Sequence, residues 1–412
     1  MSKAFEKTAI SWKKTLREKT WPVWPRADES TEKLLKDVLY SGRWALSGQY
    51  TGKKPYERQF AEAFAKFNDV PFCVPVCNGS AALTIALEAL GAGFGKEVII
   101  PGLTWVACAS SVLRVGAVPV LVDIEPDTLC ISVESVQKAI TKKTAGIMIV
   151  HLYSSLADID AFIKLSQETG IPIIEDCSHA HGAIWKGKRV GTFGKIGVFS
   201  MQQSKLLTCG EGGAAITSDA KIYDKLQQLR ADGRRYVKSP VIGQMELEEI
   251  GSVQGYNYCL SEFHAAILLD RLKYLDEENR IREENAKYLD TLLSEIKGVK
   301  PIKRRTETDL QTYYKYCIRL NREAFGNYNI ELIGDALALE SGIPIETIYM
   351  PLHCNVLYKS DSSLTAYKQV NLPISKEAKE KCLTISHDVL LAGRKDMENI
   401  AEAFVKIKHS SD

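Results

Sequence analysis

The chain has 412 residues, 45% of them hydrophobic and 25% charged, and its 53 basic and 51 acidic side chains leave a net charge of +2. That length exceeds one ordinary domain and leaves ample material for buried cores. The near-neutral balance excludes a bulk field for nucleic acid or anionic membrane, so any anion has to be caught locally.

Ten cysteines are present, none in a paired CxxC knuckle. Cys73, Cys108, Cys259 and Cys317 fall inside apolar runs, as buried free thiols do, which points to a reducing cytoplasm. The N-terminal stretch has no signal-peptide core, and no run approaches the roughly 20 apolar residues that span a bilayer. A cytoplasmic protein with neither nucleic-acid nor membrane partners is expected.

Residues 1–30 read as a polar arm that ends in the stiff segment Trp21-Pro22-Val23-Trp24-Pro25 and packs on the body or on a second subunit. Helical spacing follows to about residue 70, interrupted by the Ser41-Gly42-Arg43-Trp44 turn and the Ser47 to Gly52 loop. Short apolar runs then alternate with helix-like segments: Phe72 to Val76, Glu97 to Ile100, Val118 to Val122, Gly146 to His151, Ile171 to Glu175, Gly197 to Ser200 and Ala214 to Thr217. Strands buried on both faces and separated by helices predict an α/β domain with a mainly parallel sheet, whose ligands collect at the carboxyl ends of the strands. An amphipathic stretch from Ser261 towards Leu293 suits a helix linking this domain to a smaller α+β one, with a strand over Tyr314 to Leu320 and helices over Asn329 to Ser341 and Lys395 to Lys408. The expected division is an arm (1–30), a large domain (31–270) and a small C-terminal domain with its linking helix (271–412).

Lys205 follows the strand-like run ending at Phe199 and precedes the turn Gly210-Glu211-Gly212-Gly213, while Asp176 closes the run Ile173-Ile174-Glu175-Asp176. Pyridoxal phosphate needs such a pair, an amine to form a Schiff base and a carboxylate to keep the pyridine nitrogen protonated. His179, one helical turn beyond Asp176, could reach the cofactor's phenolic oxygen. Cys77-Asn78-Gly79-Ser80 offers a turn and helix start for a phosphate, Ser200 a second hydroxyl, and Trp105 a flat face for the ring. Each also has an ordinary reading: Lys205 an exposed loop lysine, Asp176 and Ser80 helix caps, His179 and Trp105 core residues. His181 is read as structural.

Together these stretches resemble the DegT/DnrJ/StrS sugar aminotransferases, fold-type I pyridoxal-phosphate enzymes, from about Trp21 to the C-terminus. Ser41-Gly42-Arg43-Trp44-Ala45, Gln203-Ser204-Lys205-Leu206-Leu207-Thr208, Gln227-Gln228-Leu229-Arg230-Ala231-Asp232 and Asn257-Tyr258-Cys259-Leu260-Ser261-Glu262-Phe263 carry a closer likeness to glutamine:scyllo-inosose aminotransferases of aminocyclitol pathways. The resemblance implies a three-layer large domain with a seven-stranded sheet and a homodimer with shared active sites. In it Lys205 is the Schiff-base lysine, Asp176 the pyridine-nitrogen partner and His179 the phenolic-oxygen contact. Trp105 stacks on the ring, Gly79, Ser80 and Ser200 hold the phosphate, and Asn257 reaches the phosphate of the neighbouring subunit. Arg43, Tyr314 and His353 fall in substrate-lining segments.

The implied reaction moves an amino group from glutamine, or glutamate, to a ketone on a cyclitol or sugar. Ser154 stands where the family commonly has Gly, and Ser80 where its phosphate turn usually has Thr. Lys205 argues against the sugar dehydratases of the family, which carry histidine there. A 3-amino-5-hydroxybenzoate synthase shares the Ala-His-Gly-Ala run and the Gly187-Lys188-Arg189-Val190-Gly191 segment. A nucleotide-ketosugar aminotransferase would need a basic diphosphate pocket, for which Arg230, Arg234 and Arg235 are available, although they read equally as a solvated helix end. A cofactor-binding regulator finds no helix-turn-helix or basic stripe to support it.

Overall fold

The computed structural model describes residues 20–358 and 370–409, so residues 1–19 of the expected arm lie outside the described residues. Asp28 starts the first described helix, Glu29–Tyr40, by accepting from the amides of Ser30 and Thr31 at 2.9 and 3.1 Å, and the Thr31 hydroxyl accepts from the Asp28 amide. The hydroxyls of Ser30 and Thr31 also donate to Asp270, at 2.7 and 2.6 Å, which fastens this helix to Glu262–Arg271.

The central sheet has seven strands in the spatial order Phe72–Val76, Gly213–Thr217, Ile196–Ser200, Ile173–Asp176, Thr144–Val150, Glu97–Pro101, Val118–Val122. Gly213–Thr217 runs against both its neighbours, and the other six point one way. This is the expected α/β, mainly parallel sheet, with bounds moved by two residues where pairing to neighbouring strands decides them. Helix Gly79–Ala89 is apolar all round and buried along almost its whole length, packed on Ile196–Ser200 and between helices Ala107–Arg114 and Ala220–Arg230. The carboxyl ends of five parallel strands therefore open on one edge of the sheet, each feeding a loop into the same cleft.

A charged residue inside this sheet needs a reason. Fully buried Glu175 accepts the amides of Gly191, Phe193 and Gly194 at 2.8, 2.8 and 2.6 Å and faces His151 Nε2 at 3.4 Å. It replaces the backbone partners that the loop before Ile196–Ser200 lacks. Cys177 joins His151 and Glu175 within 4.8 Å, yet the glutamate oxygens are filled by amides and burial pushes the Cys177 thiol up, so the trio is structural.

Ser261 caps helix Glu262–Arg271, a single 3-10 turn over Leu272–Tyr274 interrupts the amphipathic stretch, and helix Leu275–Ser294 completes it. Beyond it lies an antiparallel sheet in the order Val299–Pro301, Lys315–Leu320, Cys382–Ser386, Ile345–Thr347. Helices Leu275–Ser294, Ile330–Ser341 and Arg394–His409 close around it over a second core that includes Leu293, Ile318, Leu337, Leu383 and Phe404. A hairpin of two-residue strands, Ile184–Trp185 and Lys188–Arg189, pairs with Thr308–Leu310. Such strands are too short to show alternation in sequence, but Lys186 and Gly187, with φ of +46° and +77°, mark the tight turn. Among the described residues no helix is long and apolar enough to cross a membrane.

Replacing Glu175 by Ala strands one buried and two part-buried amides, each worth about 1–3 kcal/mol. We expect urea denaturation of Glu175→Ala to show a loss of at least about 3 kcal/mol, and a loss under about 1 kcal/mol would remove Glu175 as the loop's anchor.

Candidate active site

The edge of the central sheet encloses a cleft of about 710 Å³ that holds Gly79, Ser80, Trp105, Asp176, His179, Ser200, Lys205 and Tyr314, eight of the eleven residues singled out from the sequence. Lys205 is only 9% exposed, not a solvated loop lysine. Its Nζ lies 4.1 Å from the centre of the Tyr314 ring. Burial pushes the Lys205 ammonium below its ordinary value, and Tyr314 and Asp176 pull it back only in part.

The lysine loop is held from several sides. Gln202 accepts the Lys205 amide through its carbonyl, at 2.8 Å, and the Ser204 amide through its side chain, at 2.9 Å. The carbonyls of the two residues before Lys205 are taken by distant side chains: Trp24 Nε1 donates to Gln203 at 3.2 Å, and His387 Nε2 bonds Ser204 at 3.0 Å. Trp24 and His387 pack edge to face, 4.6 Å between ring centres.

Asp176 caps no helix. It accepts the Ser178 amide at 3.0 Å and the Cys108 thiol at 3.3 Å, and it is buried at the wall of the cleft. The segment after it is a pair of turns, so His179 reaches the same cleft by turn geometry and not on a helix face. His179 Nδ1 accepts the Tyr153 amide at 3.2 Å, and burial holds the ring well below its ordinary pKa. The imidazole is therefore neutral, with its proton on Nε2.

Asn78, not Ser80, caps helix Gly79–Ala89, accepting the Ala81 amide at 2.8 Å. That leaves the Gly79 and Ser80 amides without carbonyl partners in the helix, beside Ser200. A Cβ on Gly79 would stand 2.6 Å from Ser200 Cβ, so only glycine lets the helix end and the strand end meet this closely. Trp105 is no core residue either: it is 51% exposed at the rim, 5.4 Å from Tyr349 between ring centres.

Sequence reasoning missed Tyr153, Tyr349, Lys315 and Cys108. Tyr153 holds φ of +57°, a conformation bulky residues avoid. Its amide donates to His179, its carbonyl accepts from the Tyr314 amide at 3.2 Å, and its hydroxyl accepts from the Tyr349 amide at 2.7 Å. The one available signal was the His151-Leu152-Tyr153 segment at a strand end.

Three expected site residues do not line the cleft of their own chain. Arg43 is paired with buried Glu246 and donates to the carbonyls of Ala45, Leu46 and Gln49. His353 sits beyond the cleft wall, in a turn bonded to Gly102 through the Leu352 amide. Asn257 is exposed on the surface, bridged to Ala231. The arginines available for a diphosphate are likewise engaged. Arg230 is fully buried against Glu57, Arg234 pairs with Asp232, and Arg235 with Asp224 and Glu248.

With the cofactor absent, labelling of Lys205 by a small amine-reactive reagent is expected to rise with pH about a midpoint below 10.5, the ordinary lysine value. A midpoint at or above it would mean that burial does not govern this amine.

The profile of the DegT/DnrJ/EryC1/StrS aminotransferase family matches residues 25–405. The chain is 46% identical to the L-glutamine:2-deoxy-scyllo-inosose aminotransferase of Micromonospora echinospora, over 97% of each chain, and 45% identical to the L-glutamine:scyllo-inosose aminotransferase of Streptomyces griseus, again over 97% of each. Among solved structures it superposes on 3-amino-5-hydroxybenzoic acid synthase with a TM-score of 0.81 and 30% identity, covering 94% of this chain and 99% of that one. The chain belongs to the DegT/DnrJ/EryC1/StrS aminotransferase family, whose enzymes use pyridoxal 5′-phosphate.

Proposed function

We propose that this aminotransferase takes an amino group from L-glutamine, with glutamate as the weaker alternative, and delivers it to the ketone of a cyclitol of the scyllo-inosose type. One observation carries the choice of acceptor. Besides Lys205, Lys315, Asp176 and Glu211 the polar lining of the cleft is neutral, with Asn78, Ser178, Gln202 and Ser204 beside the phosphate hydroxyls, and no arginine stands among its described lining residues. A polyol asks for such walls, whereas a nucleotide diphosphate asks for guanidinium groups.

The residues fit the family's cofactor. The Gly79–Ser200 approach leaves a cradle of amides and hydroxyls for a phosphate, and Asp176 presents a buried carboxylate to a ring nitrogen. Pyridoxal phosphate supplies there an aldehyde carbon that an amine can hold and a ring that accepts electrons. In this reading Lys205 is the amine that would hold that aldehyde carbon and, when free, the base that would take the proton from the donor's Cα. Asp176 would keep the pyridine nitrogen protonated, His179 would donate a hydrogen bond from Nε2 to the phenolic oxygen, and Trp105 would cover one ring face. Tyr314 borders both Lys205 and the substrate space.

Asn257 is outside its own cleft and is proposed to complete the phosphate site of a partner subunit. Apolar side chains left exposed in the segments that lead into the Gln49–Met245 bridge, Tyr40, Trp44, Ile242 and Met245, suit a homodimer interface. The ten unpaired cysteines suit a cytoplasmic enzyme. Arg43 and His353 remain proposed substrate contacts only through that partner.

Purified enzyme is expected to absorb near the visible edge, to lose that band with glutamine, and to regain it with scyllo-inosose. Lys205→Ala should lack the band and turn over at least about a thousandfold more slowly. Failure with glutamine together with reaction on an imino-quinate would install the 3-amino-5-hydroxybenzoate synthase reading instead. Gly79→Ala is expected to weaken cofactor binding at least about tenfold by fluorescence titration, and unchanged affinity would count against the cradle. Sedimentation should give twice the 45.8 kDa chain mass.

A further inference from the structure

Resting on the transaminase reading, we infer that Lys315 is the cation that receives the α-carboxylate of the amino donor, and so distinguishes the donor from the neutral ketone. The charged side chains among the described lining residues are Asp176, Glu211, Lys205 and Lys315. Asp176 is engaged by the Ser178 amide and the Cys108 thiol, Glu211 is exposed at the mouth, and Lys205 is consumed by its own chemistry. A carboxylate carried into a cleft of this depth requires a cation, and Lys315 is the one left.

Its placement fits the task. Lys315 follows Tyr314, whose ring lies under Lys205 Nζ, and its side chain is 18% exposed. Its positive charge is felt at Lys205, His179 and Tyr314, the groups around the reacting position. Its present partner, Glu346 on Ile345–Thr347, is 60% exposed. Such a pair in water is weak, and a four-carbon arm with a compact ammonium can trade it for a carboxylate in the drier cleft. A keto-cyclitol has no carboxylate, so the second half of the reaction has no use for this charge.

The test uses the holoenzyme. Lys315→Met is first checked for the cofactor band, which it is expected to keep. Half-saturation by glutamine, read as loss of that band, should rise about tenfold to a hundredfold, while half-saturation of the pyridoxamine form by scyllo-inosose should change less than twofold. Calorimetric binding of α-methylglutamine, which carries the carboxylate but lacks the transferable proton, should weaken to the same extent. The wild type should prefer glutamine to its α-amide, and Lys315→Met should lose that preference. Glu346→Gln, which frees Lys315, should tighten glutamine binding.

Unchanged glutamine and α-methylglutamine binding in Lys315→Met overturns the inference and assigns the carboxylate to a residue of a second subunit. Equal weakening by Lys315→Met and Glu346→Gln overturns it too, since the pair then serves only as a structural tie. A wild type that reacts with neither glutamine nor glutamate defeats the transaminase reading itself, a separate outcome.

Discussion

A carboxylate buried at the end of a central strand has to be balanced, and Asp176 is balanced by very little protein. One backbone amide and one thiol, a weak donor, are its partners. Burial raises the Cys108 thiol far above its ordinary value, so that sulfur keeps its proton and adds no charge to the carboxylate it bonds. The remaining compensation comes from the cleft, where the Lys205 ammonium interacts with it. The neighbouring Glu175 shows the contrast, with three amides filling its oxygens. Two consecutive acids on one strand thus face opposite layers, one satisfied by the fold and one left for a ligand.

Much of this was legible in the chain. The apolar runs between Phe72 and Thr217 announce buried parallel strands because no face of such a sheet meets water. Asn78-Gly79-Ser80 reads as a phosphate turn because a glycine at a strand-to-helix junction permits close backbone approach. What failed to show were contacts made across long separations. Lys315 reaches the cleft from the start of a strand of the C-terminal sheet and Tyr349 from just past the end of another, far along the chain from Lys205 and with no local pattern to betray them. His179 was placed on the right side of Asp176 for the wrong reason, since turns and helices both bring residues three apart together. Arg43 looked available because sequence does not reveal buried Glu246 beside it.

Tyr153 ties these late arrivals to the early strands. Its three backbone and hydroxyl bonds position His179, Tyr314 and Tyr349, and its left-handed backbone is the cost of serving all three. The rings of Tyr153, His179, Tyr314 and Tyr349 form one stacked and tilted cluster along the cleft. Substrate space is thereby bounded by a rigid aromatic wall on one side and short polar side chains on the other. A single cleft that serves both halves of a transamination gains from walls that do not rearrange between them.

The hold on the lysine loop also has a bearing on how the enzyme is made. Trp24 is among the first described residues to leave the ribosome and His387 among the last, and both must arrive before the carbonyls of Gln203 and Ser204 are covered. The sheet and the phosphate turn can form on a partial chain, since domains fold as units from the N-terminus. The loop carrying Lys205 is finished only when the strand Cys382–Ser386 has docked. The geometry of the Lys205 amine is therefore set by residues from both ends of the described chain, and a truncated chain that still folds its central sheet leaves that loop unfinished.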